Sequence, residues 1–206
     1  MAERVRQPVA LALGLIAASA VVFSFTEAQS SAHYVRSEHD FAIPSVSLED
    51  QNGAAVSLPS LVGDNKFVLL DFFYTRCKTV CPIVTSAFAN FQYRLKPDTN
   101  RVRLVSITID PEHDSAGALA LFKKRYRAQS GWTFLTGKED KVQRAMKTFS
   151  SYTKNKLGFY PLAFLYLPQK RQWIQFEGYI PVDDLITEYL KVDDREQRRI
   201  AGNAHS

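Results

Sequence analysis

Only two cysteines occur in the chain, Cys77 and Cys81, and three residues separate them in Cys77-Lys78-Thr79-Val80-Cys81. A structural disulfide helps most when it closes a long loop, because it then removes the most freedom from the unfolded chain. A pair this close gains little that way. The remaining chemistry is thiol–disulfide exchange or joint ligation of one soft metal ion, and both use the thiolate. Arg76 and Lys78 flank Cys77 and favour its thiolate where their charges point inward. A second group surrounds Pro111: Asp110, Glu112, His113 and Asp114, a candidate ligand or acid–base cluster. Asp114, with Ser115, is also placed to cap the helix that follows, and His113 is expected to be exposed rather than ligating. His33, His39 and His205 fall in linker and tail, where any metal binding would be incidental.

The dithiol needs a scaffold, and the surrounding pattern supplies one. Lys66 to Tyr74 (KFVLLDFFY) is an almost continuous apolar run of strand length, as expected for a central strand buried on both faces. Cys77 stands just after this strand, and Cys81 opens a helix expected over Pro82 to Leu95, with proline suited to its first turn. A thiolate at a helix N-terminus is stabilised by the partial positive charge there. Upstream, Phe41 to Leu58 alternates around Asn52-Gly53, a strong hairpin signal. Downstream, Val102 to Asp110 reads as a strand. A helix follows to Tyr126, with Leu119, Leu121 and Phe122 on its inner side. Trp132 to Leu135 is a short strand and Lys138 to Tyr152 a helix. Leu162 to Leu167 and Gln172 to Gly178 form a hairpin, and Asp183 to Val192 a closing helix. Strand–helix alternation ending in a hairpin and a helix predicts an α/β thioredoxin-like sandwich with an N-terminal β-hairpin extension.

Composition sets the outer limits. The chain has 206 residues, 46% of them hydrophobic, enough for one domain with a substantial core. Its net charge of +5 is spread through both signs, with no basic block interleaved with aromatics, so nucleic acid is not an expected partner. Arg4 and Arg6 precede an uncharged apolar run from Val9 to Phe25, the pattern of an export signal or membrane anchor. The run is just long enough to span a bilayer core of ~30 Å, and an uncleaved anchor is favoured over a signal peptide. The expected organisation is an anchor or signal peptide over 1–30 and a linker over 31–40. The folded domain then covers 41–192, and a charged, frayed tail 193–206. With Arg4 and Arg6 inside, the expected location is the inner membrane, single-pass, with the domain in the periplasm, an oxidising compartment.

The stretch from Phe72 to Pro82 (FFYTRCKTVCP) resembles the core motif of the Sco/SenC family. Three further segments agree in order and spacing: DQNG at Asp50 to Gly53, SITIDPEHD at Ser106 to Asp114, and WTFLTG at Trp132 to Gly137. The resemblance spans about Phe41 to Val192. It implies a membrane-anchored thioredoxin fold that binds copper and assists assembly of the copper centre of cytochrome c oxidase. Some family members act mainly as thiol–disulfide reductants. By resemblance, the loop carrying Asp110 lies near the dithiol, where Asp110 can tune thiol pKa.

The family's copper ligands are the two motif cysteines and one histidine just before the C-terminal hairpin. Aligned on Phe164 to Leu167, that position here is Tyr160, followed by Pro161, and no histidine occurs between His113 and His205. Two thiolates suit Cu(I) but leave the family site one ligand short, and Cu(II) should suffer most. A neutral tyrosine is a poor substitute ligand, and Tyr160 can equally well simply pack. Thioredoxins place a cis-proline at the position of Pro161, facing the dithiol; the plainer alternative is that Pro161 opens a strand. Two readings stand. One is a thiol–disulfide oxidoreductase using Cys77 and Cys81 on a client protein with a disulfide or copper site, such as a cytochrome c oxidase subunit. The other is a Cu(I) chaperone holding the metal on the same two thiolates. A thiol peroxidase is a weaker third.

Overall fold

The computed structural model describes residues 34–95, 100–153 and 158–203. At its centre is β4 (Phe67–Phe73), every residue of which is buried, as the unbroken apolar run requires. It pairs in parallel with β5 (Val102–Thr108) and antiparallel with β7 (Leu162–Leu167). Beyond β5 lies β6 (Trp132–Thr136), which carries the hairpin of β2 (Ser47–Asp50) and β3 (Ala55–Ser57). Beyond β7 lie β8 (Gln172–Gly178) and β1 (Tyr34–His39), completing one eight-stranded sheet in the order β1-β8-β7-β4-β5-β6-β2-β3. The helices are α1 (Leu58–Leu61), α2 (Val80–Arg94), α3 (Ala116–Arg125), α4 (Glu139–Thr148) and α5 (Val182–Asn203). This is the expected thioredoxin-like α/β architecture with its added hairpin. That hairpin turns at Gly53, whose φ of 82° suits glycine, and Asp50 accepts from the Asn52 and Ala54 N–H groups.

Alternation along β4 divides the core. Phe67 packs edge-on against Tyr189 of α5, and Phe73 against Phe122 of α3 and Phe134 of β6. On the opposite face Phe72 meets Phe149 and Phe164. Odd residues of β4 therefore point to one layer of helices and even residues to the other.

Three expectations need correction. Tyr34–His39, expected as linker, forms β1 and covers the outer edge of β8, with the Tyr34 ring 5.6 Å from that of Phe176. Its alternating charges masked it, yet Arg36 is held by Glu188 at 2.9 Å. The expected frayed tail from 193 instead continues α5 to Asn203. Asp193 is buried and accepts both guanidinium nitrogens of Arg101, at 2.8 and 2.5 Å, which ties the helix to the foot of β5. Leu121, assigned to the inner side of α3, is exposed, because Leu119 and Phe122 already define the buried stripe. The expected anchor or signal segment lies outside the described residues. Among the described residues, no helix is long and apolar enough to cross a membrane.

Candidate functional site

Parallel pairing of β4 and β5 brings the loops that leave both strands to one end of the sheet. Antiparallel β7 starts at that same end. The β4–β7 register couples Asp71 to Ala163, and two further steps along it set Pro161 level with Phe73. The topology thus gathers Cys77, Asp110 and Tyr160-Pro161 at the C-terminal end of the central strand, where open α/β sheets build their sites.

The dithiol loop is short and tightly held. Thr75 donates its N–H to Asp114 Oδ2 at 3.0 Å and its hydroxyl to Asp114 Oδ1. Thr108 donates to the same carboxylate at 2.5 Å, and accepts the Asp110 N–H at 3.0 Å. Asp114 is completely buried and so clamps the dithiol loop to the end of β5. Of the two residues expected to cap α3, Ser115 does so, accepting from the Ala118 N–H at 3.3 Å, and Asp114 is given over to the loop instead.

Cys77 and Cys81 are both free and both buried. Cys81 is the second residue of α2 and Pro82 the third, so proline removes one of the N–H groups a helix start leaves without partners. Thr79 makes no side-chain cap, and the Cys81 N–H instead donates to Cys77 Sγ at 3.4 Å. The sulfur occupies the place of a capping oxygen, and no acidic residue in the first turn competes for the helix's positive end.

The two thiols differ sharply as a result. Burial pushes the Cys77 thiol up, but hydrogen bonds from the Cys81 thiol, the Cys81 and Thr79 N–H groups and the Thr79 hydroxyl outweigh it and bring Cys77 down to about 7. Burial pushes Cys81 up, the neighbouring Cys77 thiolate and the Asp71 carboxylate add to this, and it stays protonated. Cys77 is therefore the more readily ionised thiol and Cys81 the one held protonated. The Tyr74 phenol is also pushed up to about 12, first by burial and then by its hydrogen bond to Cys77. It remains a donor to the thiolate.

The flanking cations contribute differently from expectation. Arg76 turns to the buried Asp110, Nη2 to Oδ2 at 3.1 Å, and Asp110 also takes His113 Nδ1 at 2.8 Å. Backbone and side-chain hydrogen bonds, rather than Arg76 or Lys78, lead the lowering of the Cys77 pKa. Asp110, Glu112 and His113 place ligand-type atoms within 4.8 Å of one another, but neither cysteine shares that cluster. Tyr160 is exposed and lines a depression of about 200 Å³ with Phe159, Ser150 and Gln175. Pro161 is buried and its carbonyl accepts the Gly178 N–H at 2.9 Å.

A family model described as SCO1/SenC matches residues 36–160, well over half of the chain. The chain belongs to the SCO1/SenC family. A SCO1 protein homolog of Bacillus subtilis is 33% identical to this SCO1/SenC protein over 122 residues, 58% of this chain and 62% of the homolog. The chain thus spans about three fifths of that relative. Among solved structures, BsSco is described as a Sco-family cytochrome c oxidase assembly protein with a disulfide switch. It superposes with a TM-score of 0.64 at 27% identity, over 77% of this chain and 96% of BsSco. ScoI of Bradyrhizobium japonicum, solved with copper bound, gives 0.52 at 27% identity, over 61% and 83%.

Sequence reasoning named as candidates the cysteines, Asp110 and the Tyr160-Pro161 position, which the topology brings to one end of the sheet. It missed Asp71, Tyr74 and the Thr75–Asp114 clamp. A lone carboxylate in a run that must be buried on both faces was the available signal for Asp71; the clamp joins residues far apart in sequence and left none.

Proposed function

We propose that this SCO1/SenC protein is a thiol–disulfide oxidoreductase acting on cysteines of a copper protein during respiratory oxidase assembly. The observation that carries the reading is the unequal dithiol: one sulfur poised near neutral pH on a helix N-terminus, the other held protonated behind it. Cys77 thiolate attacks a client disulfide, forms a mixed disulfide and releases one client thiolate. Cys81 then attacks Cys77, the pair closes, and the client leaves with two more electrons than it brought. BsSco, with its disulfide switch, lends support from within the family. Export through the N-terminal segment, to a periplasmic face of the inner membrane, would supply the setting this chemistry needs.

The test is reduction of an oxidised dicysteine copper-site peptide by the reduced protein. Cys77→Ser should abolish turnover, and a copper chelator should leave the wild type unaffected. Loss of activity when copper is stripped would overturn the reading.

A Cu(I) chaperone is the second reading, favoured by the two adjacent sulfurs and by the copper-bound ScoI relative. Copper here is cargo. The soft sulfurs suit Cu(I), and among the described residues no histidine joins them. Titration of the reduced protein with Cu(I) against a competing chelator decides it: one-to-one binding that needs both thiols supports the chaperone, and no competition ends it.

A further inference from the structure

The chain enters the domain at the same end as the dithiol. β1 begins at Tyr34, opposite Gly178 of β8, and the Gly178 N–H donates to the Pro161 carbonyl at 2.9 Å. Pro161 in turn lies level with Phe73, the last residue of β4 before the dithiol loop. Three strand spacings of ~4.8 Å separate Tyr34 from the end of β4, roughly 14 Å across the sheet. The antiparallel pairing of β1 with β8 decides this. Paired parallel, the same strand would admit the chain at the opposite end, about 20 Å away for a strand of this length at ~3.3 Å a residue.

The stretch upstream of β1 is short. Eight residues, 26–33, lie between the apolar run ending at Phe25 and Tyr34. Fully extended, a chain of that length spans under about 30 Å; as a flexible tether it averages about 15 Å. To turn the opposite end of the sheet toward a membrane holding the apolar run, such a tether must double back along a whole strand, about 20 Å. Few conformations of it remain there. The surface of the domain agrees. Tyr160 and Tyr179, 57% and 40% exposed, flank the junction of Pro161 with Gly178. Arg76 and Lys78 are exposed on the dithiol loop at this end, with Glu112 exposed on the loop after β5. Tyrosines and long cations favour the boundary between lipid headgroups and water. The strand connections at the opposite end, Asp64-Asn65-Lys66 and Gln169-Lys170-Arg171, carry only polar side chains.

We propose that the domain works with its dithiol end turned to the membrane surface, on a client protein held in that same membrane with its cysteines close to the surface. The inference rests on the export reading above, with the apolar run retained as an anchor. β1 is then an orienting element as well as an edge strand. Six register positions fix it to β8, and Arg36 fixes it to Glu188 of α5 at 2.9 Å, so the point of entry is held. Holding dithiol and client on one surface makes their encounter effectively intramolecular, which raises its rate without any new contact. A protein free in the surrounding compartment meets the polar, outward end of the domain instead.

Energy transfer to acceptor-labelled headgroups tests the orientation, with the full chain reconstituted into phosphatidylcholine vesicles. Glu112 and Lys170 are exposed on loops at the two ends of the sheet. Glu112→Cys or Lys170→Cys, each combined with Cys77→Ser and Cys81→Ser, takes a single donor dye. Transfer from residue 112 should exceed transfer from residue 170 at least twofold. About twenty flexible Gly/Ser residues inserted between Ser31 and Ala32 should remove the difference. Equal transfer from both ends, or stronger transfer from residue 170, overturns the proposal, as does a full chain that washes off the vesicles. Wild-type protein, which needs no substitution, should reduce a disulfide peptide lipid-anchored in its own vesicles at least tenfold faster than the same peptide anchored in separate vesicles. Equal rates overturn the proposal. Failure to reduce either peptide counts against the oxidoreductase reading instead, and the energy transfer then decides the orientation by itself.

Discussion

Replacing Asp71 with asparagine should change the pH dependence of stability in a defined direction. The carboxyl is raised from 3.8 to about 7 in the folded protein, with burial as the leading cause. Between those values the folded state binds more protons than the unfolded one. Stability contributed by this site is therefore greatest at low pH and falls as pH rises through 7. A shift of about three units at ~1.4 kcal/mol each places the full penalty near 4 kcal/mol above pH 8. Between pH 5 and pH 8 the wild type should lose roughly 3 kcal/mol through this group alone. The asparagine amide is just as buried but does not titrate, so its own cost is constant. Urea unfolding of both proteins at pH 5 and pH 8 isolates the difference. The variant should gain roughly 3 kcal/mol on the wild type over that range, between about 1 and 2 M in midpoint for a urea slope near 2 kcal/mol/M. A stability difference equal at both pH values would refute the reasoning, because Asp71 would then be charged, or neutral, throughout.

In the reduced protein, alkylation by iodoacetamide should rise with pH, reach half its plateau near pH 7 and stop at one label. Mass spectrometry should place that label on Cys77, and Thr79→Val should move the midpoint upward by removing a hydroxyl that favours the thiolate. Asp114→Ala leaves the Thr75 and Thr108 donors without their acceptor, which should cost about 3 kcal/mol in chemical denaturation. The same variant should raise the alkylation midpoint of Cys77. Tyr160→His should strengthen Cu(I) binding at least tenfold in chelator competition, since it restores the nitrogen ligand to the family position. Unchanged affinity would mean that residue 160 does not reach the sulfurs.

The fold was legible because its strongest signals are local. The KFVLLDFFY run, the Asn52-Gly53 turn and Pro82 each admit few conformations, and all take the forms they imply. The edges of the domain were not legible. Tyr34–His39 is a strand only because β8 offers it an edge, and Asp193 is buried only because Arg101 reaches it. The site divides the same way. Cysteine spacing announced the dithiol, but what separates the two sulfurs chemically is tertiary: an N–H aimed at Cys77, a carboxylate under Cys81, and a clamp between loops 39 residues apart. Arg76 shows the hazard of reading charge from neighbours in sequence, since it spends its charge on Asp110.

The pairing of β1 with β8 bears on how this domain can be handled in isolation. A fragment begun at Phe41, where the domain expected from sequence starts, would bare six consecutive backbone positions of β8 and uncover the Phe176 ring that Tyr34 shields. Such an open, apolar sheet margin is a template for pairing with other molecules. A fragment begun a few residues before Tyr34 keeps that margin closed by the chain's own Arg36 and Glu38, whose charges discourage further strands from adding outside them. Those few residues separate a soluble sample from one prone to self-associate.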